Sequence, residues 1–165
     1  MNRLIQLIAF FAICFFFSCS TEGVNPSTCR EGDCTYTVKE HADLIIENQD
    51  DLYWFRLEEG ENLVFRYNYE ADDSPQIADD EYTEIILWEI PADQESFDVS
   101  DADLEQVNMF VAPICNCTPG WKPVNIGHLE GEKINRNTWR VSFTISFEWA
   151  GMLQERKVEA RFEME

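Results

Sequence analysis

Thr138-Trp139-Arg140-Val141-Ser142-Phe143-Thr144-Ile145-Ser146-Phe147-Glu148-Trp149 is the stretch that decides the fold class. Trp139, Val141, Phe143, Ile145, Phe147 and Trp149 alternate with Arg140, Ser142, Thr144, Ser146 and Glu148. A period of two is what a strand needs when one face meets a core and the other meets water. Val158, Ala160, Phe162 and Met164 repeat the pattern after a break at Ala150-Gly151, so a hairpin with strands at 138–149 and 155–164 is expected. Leu63, Phe65, Tyr67 and Tyr69 oppose Arg66, Asn68 and Glu70 in the same way. Further strands are expected at 35–39, 43–47, 52–57, 62–70, 82–90, 106–112 and 124–134, with turns at 58–61 and 135–137. Only Ser100-Asp101-Ala102-Asp103-Leu104-Glu105 carries a helix signal, with Ser100 as N-cap and acids in the first turn. Many short strands and little helix predict an all-β protein. The expected form is an antiparallel β-sandwich, immunoglobulin-like or related, with a lipocalin-like barrel as the alternative.

The N-terminus speaks of location. Arg3 supplies one positive charge, and Leu4 to Phe17 is an apolar run broken only by Gln6. That run is too short for a bilayer-spanning helix and reads as the apolar core of a secretory signal. Phe16-Phe17-Ser18-Cys19, a small residue followed by cysteine, resembles the lipobox of bacterial lipoproteins. Phe16 and Phe17 depart from the common Leu-Ala/Ser-Gly/Ala pattern, whereas boxes ending Ser-Cys are familiar in Bacteroidota lipoproteins. The resemblance implies that residues 1–18 are a signal peptide and that Cys19 is diacylated on its thiol and becomes the new N-terminus. Two or more acyl chains give stable anchoring where one does not. Ser20 rather than Asp follows the cysteine, so the outer membrane is the expected address. Residues 19–33 are polar and turn-rich and read as a lipidated tether, leaving 34–165 as the β-sandwich domain.

The chain has 32 acidic and 12 basic residues among 165, a formal charge of −20, yet 45% of it is hydrophobic. It therefore has material for a core, and its acidity does not imply disorder. Nucleic acid is excluded as a partner, because phosphate backbones require Lys and Arg clusters. The acidity itself reads as solubility.

Setting aside Cys14 in the signal and Cys19 at the anchor, Cys29, Cys34, Cys115 and Cys117 remain. Four cysteines in an oxidising compartment predict two disulfides. A Cys115–Cys117 bridge closes a very small ring, so the expected scheme joins the Cys29/Cys34 segment to the Cys115/Cys117 segment. A four-thiolate metal site is the rival, on spacings that are not a common zinc-ribbon pattern.

Catalytic constellations are missing from the chain. Its only histidines are His41 and His128, and there is no Gly-x-Ser-x-Gly, His-Glu-x-x-His, P-loop or dinucleotide-binding glycine turn. His128, inside an expected strand, reads as a surface or cross-strand residue. No enzyme is expected, and no catalytic residue is assigned. Two acidic stretches offer hard oxygens for calcium. One holds Asp72, Asp73, Asp79 and Asp80. The other runs from Asp93 to Glu105 and fails the EF-hand template, with Gln106 where Gly belongs. Solvated acidic loops are the plainer reading.

Trp54, Trp88, Trp139 and Trp149 lie in expected strands and read as core. Trp121 differs, standing with Lys122 in the turn-rich Thr118-Pro119-Gly120-Trp121-Lys122-Pro123. An exposed Trp there would stack on a sugar ring or enter a partner protein, and the plainer reading folds it back over the end of the sandwich. Gly127-His128-Leu129-Glu130-Gly131-Glu132-Lys133-Ile134, followed by Trp139-Arg140-Val141, resembles the closing portion of uncharacterised sandwich-type Bacteroidota lipoproteins. That resemblance implies a fold and a location and brings no catalytic residues. The expectation is a membrane-anchored envelope lipoprotein acting as a non-catalytic binding or accessory module. The alternative is a glycan-binding accessory lipoprotein of a polysaccharide-uptake system. The expected partners are the membrane, through the anchor, and an envelope protein or a glycan.

Overall fold

The computed structural model describes Cys29 and residues 32–49, 52–72, 82–114 and 120–165. Strands β1 (Gly32–Lys39), β2 (Ala42–Gln49), β3 (Leu52–Glu59), β4 (Asn62–Ala71), β5 (Thr83–Pro91) and β6 (Ser96–Ser100) come first. A 3-10 turn, Asp101–Glu105, then leads to β7 (Phe110–Ile114), β8 (Lys122–Pro123), β9 (Gly127–Asn135), β10 (Thr138–Trp149) and β11 (Met152–Met164). The protein is all-β, as the alternation predicts.

The hairpin that decides the fold forms in full. β10 and β11 pair from Thr138↔Glu163 to Trp149↔Met152. Ala150 and Gly151 close it with φ of 50° and 76°. Two positive-φ residues make the turn whose twist matches the flanking strands. β11 therefore starts at Met152, earlier than expected. The expected turns at Gly60 and Arg136 also form, the second with Asn137 N–H donating to Asn135 Oδ1 at 2.8 Å.

Nine strands make one sheet in the order β6-β9-β10-β11-β1-β4-β5-β7-β8, and β2 and β3 make a separate hairpin. Every pairing is antiparallel except β1 with β11, which run parallel through Thr37↔Glu163 and Val38↔Met164 alone. That short junction joins two larger halves of the sheet, and the sheet curls so that its inner faces close on one core. Phe65 of β4 shows the closure. Its ring lies 5.1 Å from Trp88 on the neighbouring β5, and 5.4 Å from Trp139 of β10 and 5.5 Å from Phe97 of β6 in the other half. Each such contact adds about 0.5–1.5 kcal/mol beyond the burial of the rings.

The β2–β3 hairpin forms a second, smaller core on the outside of β4 and β5. Ala42 and Leu44 bury Val64, Ile85 and Leu87, with Ile46, Phe55 and Trp121 packed at the margin. β5 is thus covered on both faces, which is why Ile85-Ile86-Leu87-Trp88 is an unbroken apolar run. Glu89 secures the hairpin: its carboxylate accepts the Leu44 N–H at 2.8 Å and the side-chain amides of Asn62 and Asn108.

Several expectations change in detail. The helix signal at 100–105 yields a single 3-10 turn, and Ser100 gives it no side-chain cap. Asp101 enters with φ of 49°, and its carboxylate instead accepts the Gly127 N–H at 3.0 Å. The bonds Asn108 N–H to Glu105 O and Met109 N–H to Leu104 O extend that turn. They consume residues 106–109 and move the strand expected at 106–112 to Phe110–Ile114. Trp54 departs from the core reading: it points outward from β3 and is 57% exposed. Trp88 and Trp139 are buried, and Trp149 is partly buried against the main core.

Candidate functional site

β6, β9, β10 and β11 keep their outer face in water, and their register arranges it into rows. Asp98 pairs with Glu130, Glu130 with Ser142, and Ser142 with Glu159. Beside that row runs Ser96, Glu132, Arg140 and Arg161, and on its other side Ser100, His128, Thr144 and Lys157. All of the first two rows but Arg161 line a concavity of about 600 Å³. Beneath it, on the core side, a Cβ at Gly131 would lie 2.2 Å from the Phe97 ring, so only glycine lets Phe97 settle there.

The electrostatics are uneven. Arg140 is paired with Glu132 at 2.6 Å, and His128 Nε2 lies 2.8 Å from Asp98 Oδ1. Asp98 and Glu130 remain direct cross-strand neighbours of like charge, an arrangement that destabilises a sheet. Together with Glu159 they give the face hydrogen-bond acceptors held on a rigid support, with the Ser96 and Ser142 hydroxyls between them. Asp98, His128 and Glu130 bring one donor atom each within 4.8 Å of one another. An imidazole with two carboxylates is a donor set suited to transition metals rather than to calcium.

A second polar cluster lies inside the curl. Glu84 of β5 is 1% exposed, and its carboxylate receives Arg156 of β11 through Nε at 2.8 and 2.9 Å and Nη2 at 2.7 Å. The Tyr82 hydroxyl donates to the same carboxylate at 2.8 Å. Burial first, then the Glu84 charge and hydrogen bond, push the Tyr82 hydroxyl up to about 12. Burial and the Glu84 charge also raise Tyr67. At Arg156 burial pulls downward, but the hydrogen bonds and charge of Glu84 outweigh it and hold the guanidinium above its ordinary value. This cluster ties β5 to β11 across the interior, and Phe147 lies under the Arg156 guanidinium at 5.5 Å.

The residues singled out in the sequence do not converge on one site. Trp121 is half-buried, 4.3 Å from the Phe55 ring and bridged to Tyr53, so it wedges the hairpin rather than standing free for a ligand. Lys122 is exposed, with its Nζ 5.8 Å from the Trp149 ring. Asp72 is exposed beyond the end of β4, while Asp73, Asp79 and Asp80 lie outside the described residues. Cys19, Cys115 and Cys117 lie outside them too. Cys29 is bonded to Cys34, with Cα atoms 5.9 Å apart. That corrects the expected cross-segment scheme: the two cysteines stand within disulfide reach of each other. His128 sits on the strand surface as read. The charged face itself is missed because β6 is missed, and without β6 nothing sets Asp98 opposite Glu130. The available signal is the His128-x-Glu130-x-Glu132 alternation on β9.

Among the described residues no helix is long and apolar enough to cross a membrane. No protein-family model matches the chain, and no curated protein or solved structure matches it either.

Proposed function

We propose that the chain is a membrane-anchored envelope lipoprotein, a non-catalytic binding or accessory module that engages its partner on the outer face of β6, β9, β10 and β11. The observation that carries this reading is the concavity lined by Asp98, Glu130, Glu132, Arg140, Ser142 and Glu159. Rigid rows of acceptors and hydroxyls suit a partner presenting cationic groups. Anchoring is supported by the Ser18-Cys19 lipobox after the apolar run. The non-catalytic reading is supported by the setting of the displaced titrations: Tyr67, Tyr82 and Arg156 surround Glu84, whose ion pair with Arg156 ties β5 to β11.

The test is affinity capture from intact, cross-linked cells through a C-terminal tag, with the Asp98→Ala, Glu130→Ala, Glu159→Ala triple variant alongside. One envelope protein enriched with the wild type and lost with the variant is the expected result. Retention by the variant removes this face from the reading, and enrichment of nothing overturns the accessory role.

A second reading, glycan binding, is favoured by Trp54. Its exposed indole lies directly across from Glu47, which Arg56 holds at 3.1 Å, while Arg56 also contacts Glu58. An indole bordered by a guanidinium and carboxylates can stack on a sugar ring and bond its hydroxyls. Binding on a glycan array that disappears in Trp54→Ala supports this reading, and no binding across the array ends it.

A further inference from the structure

We infer that the turn of the β10–β11 hairpin contacts the bilayer surface, so that the domain stands on the membrane by its tip as well as by its tether. This rests on the anchored reading above and adds a face and an orientation to it.

Met152 and Leu153, just after the turn, are 61% and 74% exposed, the two most exposed large apolar side chains among the described residues. Two adjacent exposed apolar residues on a hairpin tip find no cover among the described residues, and a tight turn presents them without backbone freedom. Their place in the fold says what meets them. β1 and β11 run parallel, so their first residues lie at the same end of the sheet. β1 begins at Gly32, five residues before Thr37, whereas β11 begins at Met152, eleven residues before the partner Glu163. The hairpin therefore projects about 20 Å beyond the point where the chain enters the fold, at ~3.4 Å per residue. Cys29 is bonded back to Cys34 of β1, so the free tether is the ten residues from Cys19 to Cys29, which reach at most about 35 Å. The tether is long enough for the tip to touch the surface in which Cys19 would be held.

Other features of that end agree. Ile126, whose carbonyl accepts the Ser146 N–H near the turn, is exposed there as well. Trp149 pairs with Met152 across the turn and carries Lys122 over its ring, and a ring with a polar neighbour suits the headgroup level. Asp72 is exposed beyond the end of β4 on the side where the chain enters, and Glu148 stands opposite Leu153 at the tip itself. Acids there are repelled by anionic headgroups, so the surface that fits is zwitterionic.

The experiment places the photo-crosslinker p-benzoylphenylalanine at Leu153 or at Ile134 in the full chain, expressed in a bacterium that processes lipoproteins. Ile134 is an exposed apolar residue beside the β9–β10 turn at the opposite end of the sheet. Irradiation of intact membranes, followed by mass spectrometry, reads lipid adducts at each position and the acyl state of Cys19 separately. Lipid adducts at 153 and background at 134 are expected. Lipid adducts absent at 153, equal at both positions, or replaced by a protein adduct overturn the tip contact, whatever the state of Cys19. An unmodified Cys19 overturns the anchored reading instead, and lipid adducts confined to 153 in that chain still support the tip. A vesicle series of phosphatidylcholine with rising phosphatidylglycerol then checks the headgroup preference, with fewer adducts expected as anionic lipid increases.

Discussion

The two halves of the curled sheet treat their outer faces in opposite ways. β4 and β5 are buried on both sides, by the main core within and by the β2–β3 hairpin without. β6, β9, β10 and β11 are buried on one side only, and their other side carries the row of Asp98, Glu130, Ser142 and Glu159. In the first half the outer face of β4 and β5 is given over largely to packing the hairpin. The second half presents its outer face on a scaffold that the aromatic core already holds rigid, so that face can vary without unfolding the chain. That is why the binding role proposed above is placed on the singly buried half.

The strongest test of that division is Trp88→Ala set against Ser142→Ala. Trp88 is fully buried and stacked on Phe65, so its truncation should cost about 3–5 kcal/mol in denaturant unfolding. Ser142→Ala on the open face should stay within about 0.5 kcal/mol. Comparable losses at both positions would erase the contrast.

The tie between the halves comes next. Arg156→Leu leaves the Glu84 carboxylate buried with its ion-pair partner gone and should cost about 3–5 kcal/mol at neutral pH. Denaturant unfolding at neutral pH checks this, and a loss below about 1 kcal/mol would show that the pair does not hold the halves together. In the wild type, Tyr82 is raised from 10.0 to about 12, so its contribution is complete below pH 10.0 and is lost as pH climbs toward about 12. Tyr82→Phe should flatten part of that alkaline loss, leaving the part due to Tyr67.

The hairpin cover should yield more locally. Leu44→Ala removes the side chain that caps Val64, Ile85 and Leu87, at a cost of about 2 kcal/mol or somewhat more. Hydrogen exchange should quicken in β2 and β3 before it does in β10, because the hairpin stands outside the large sheet and is bridged beyond itself at Tyr53–Trp121. Simultaneous acceleration everywhere would make the hairpin part of the main cooperative unit.

What the sequence discloses follows from the same division. The open half is legible because one solvated face imposes alternation, and Trp139 to Trp149 can be read residue by residue. The doubly buried β5 is legible only as an apolar run, and nothing in it says that a separate hairpin supplies the second cover. Trp54 illustrates the limit: a Trp in a strand suggests core, yet its burial depends on which face of β3 meets β4, and Phe55 takes that face. β6 is illegible because Ser96-Phe97-Asp98-Val99-Ser100 is short and rich in Asp and Ser. With β6 hidden, the Asp98–Glu130 pairing and the face built on it are hidden as well. The Cys29–Cys34 bond is a matter of chain path, which spacing alone leaves open.

The smallest effect concerns that hidden pairing and has the opposite sign from the others. Asp98 and Glu130 are directly opposed on exposed strands, and His128 engages only Asp98. Glu130→Gln removes one of the two like charges while keeping size and hydrogen-bonding capacity, so it should stabilise the free protein by about 0.2–1 kcal/mol at low salt. Added salt screens exposed charges, so the gain should shrink as ionic strength rises. A substitution that stabilises the free protein while weakening its capture of a partner is the signature of charge kept for recognition. Glu130→Gln that destabilises at low salt would mean instead that the row is held together by bonds of its own, and the open face would then be structural like the other half.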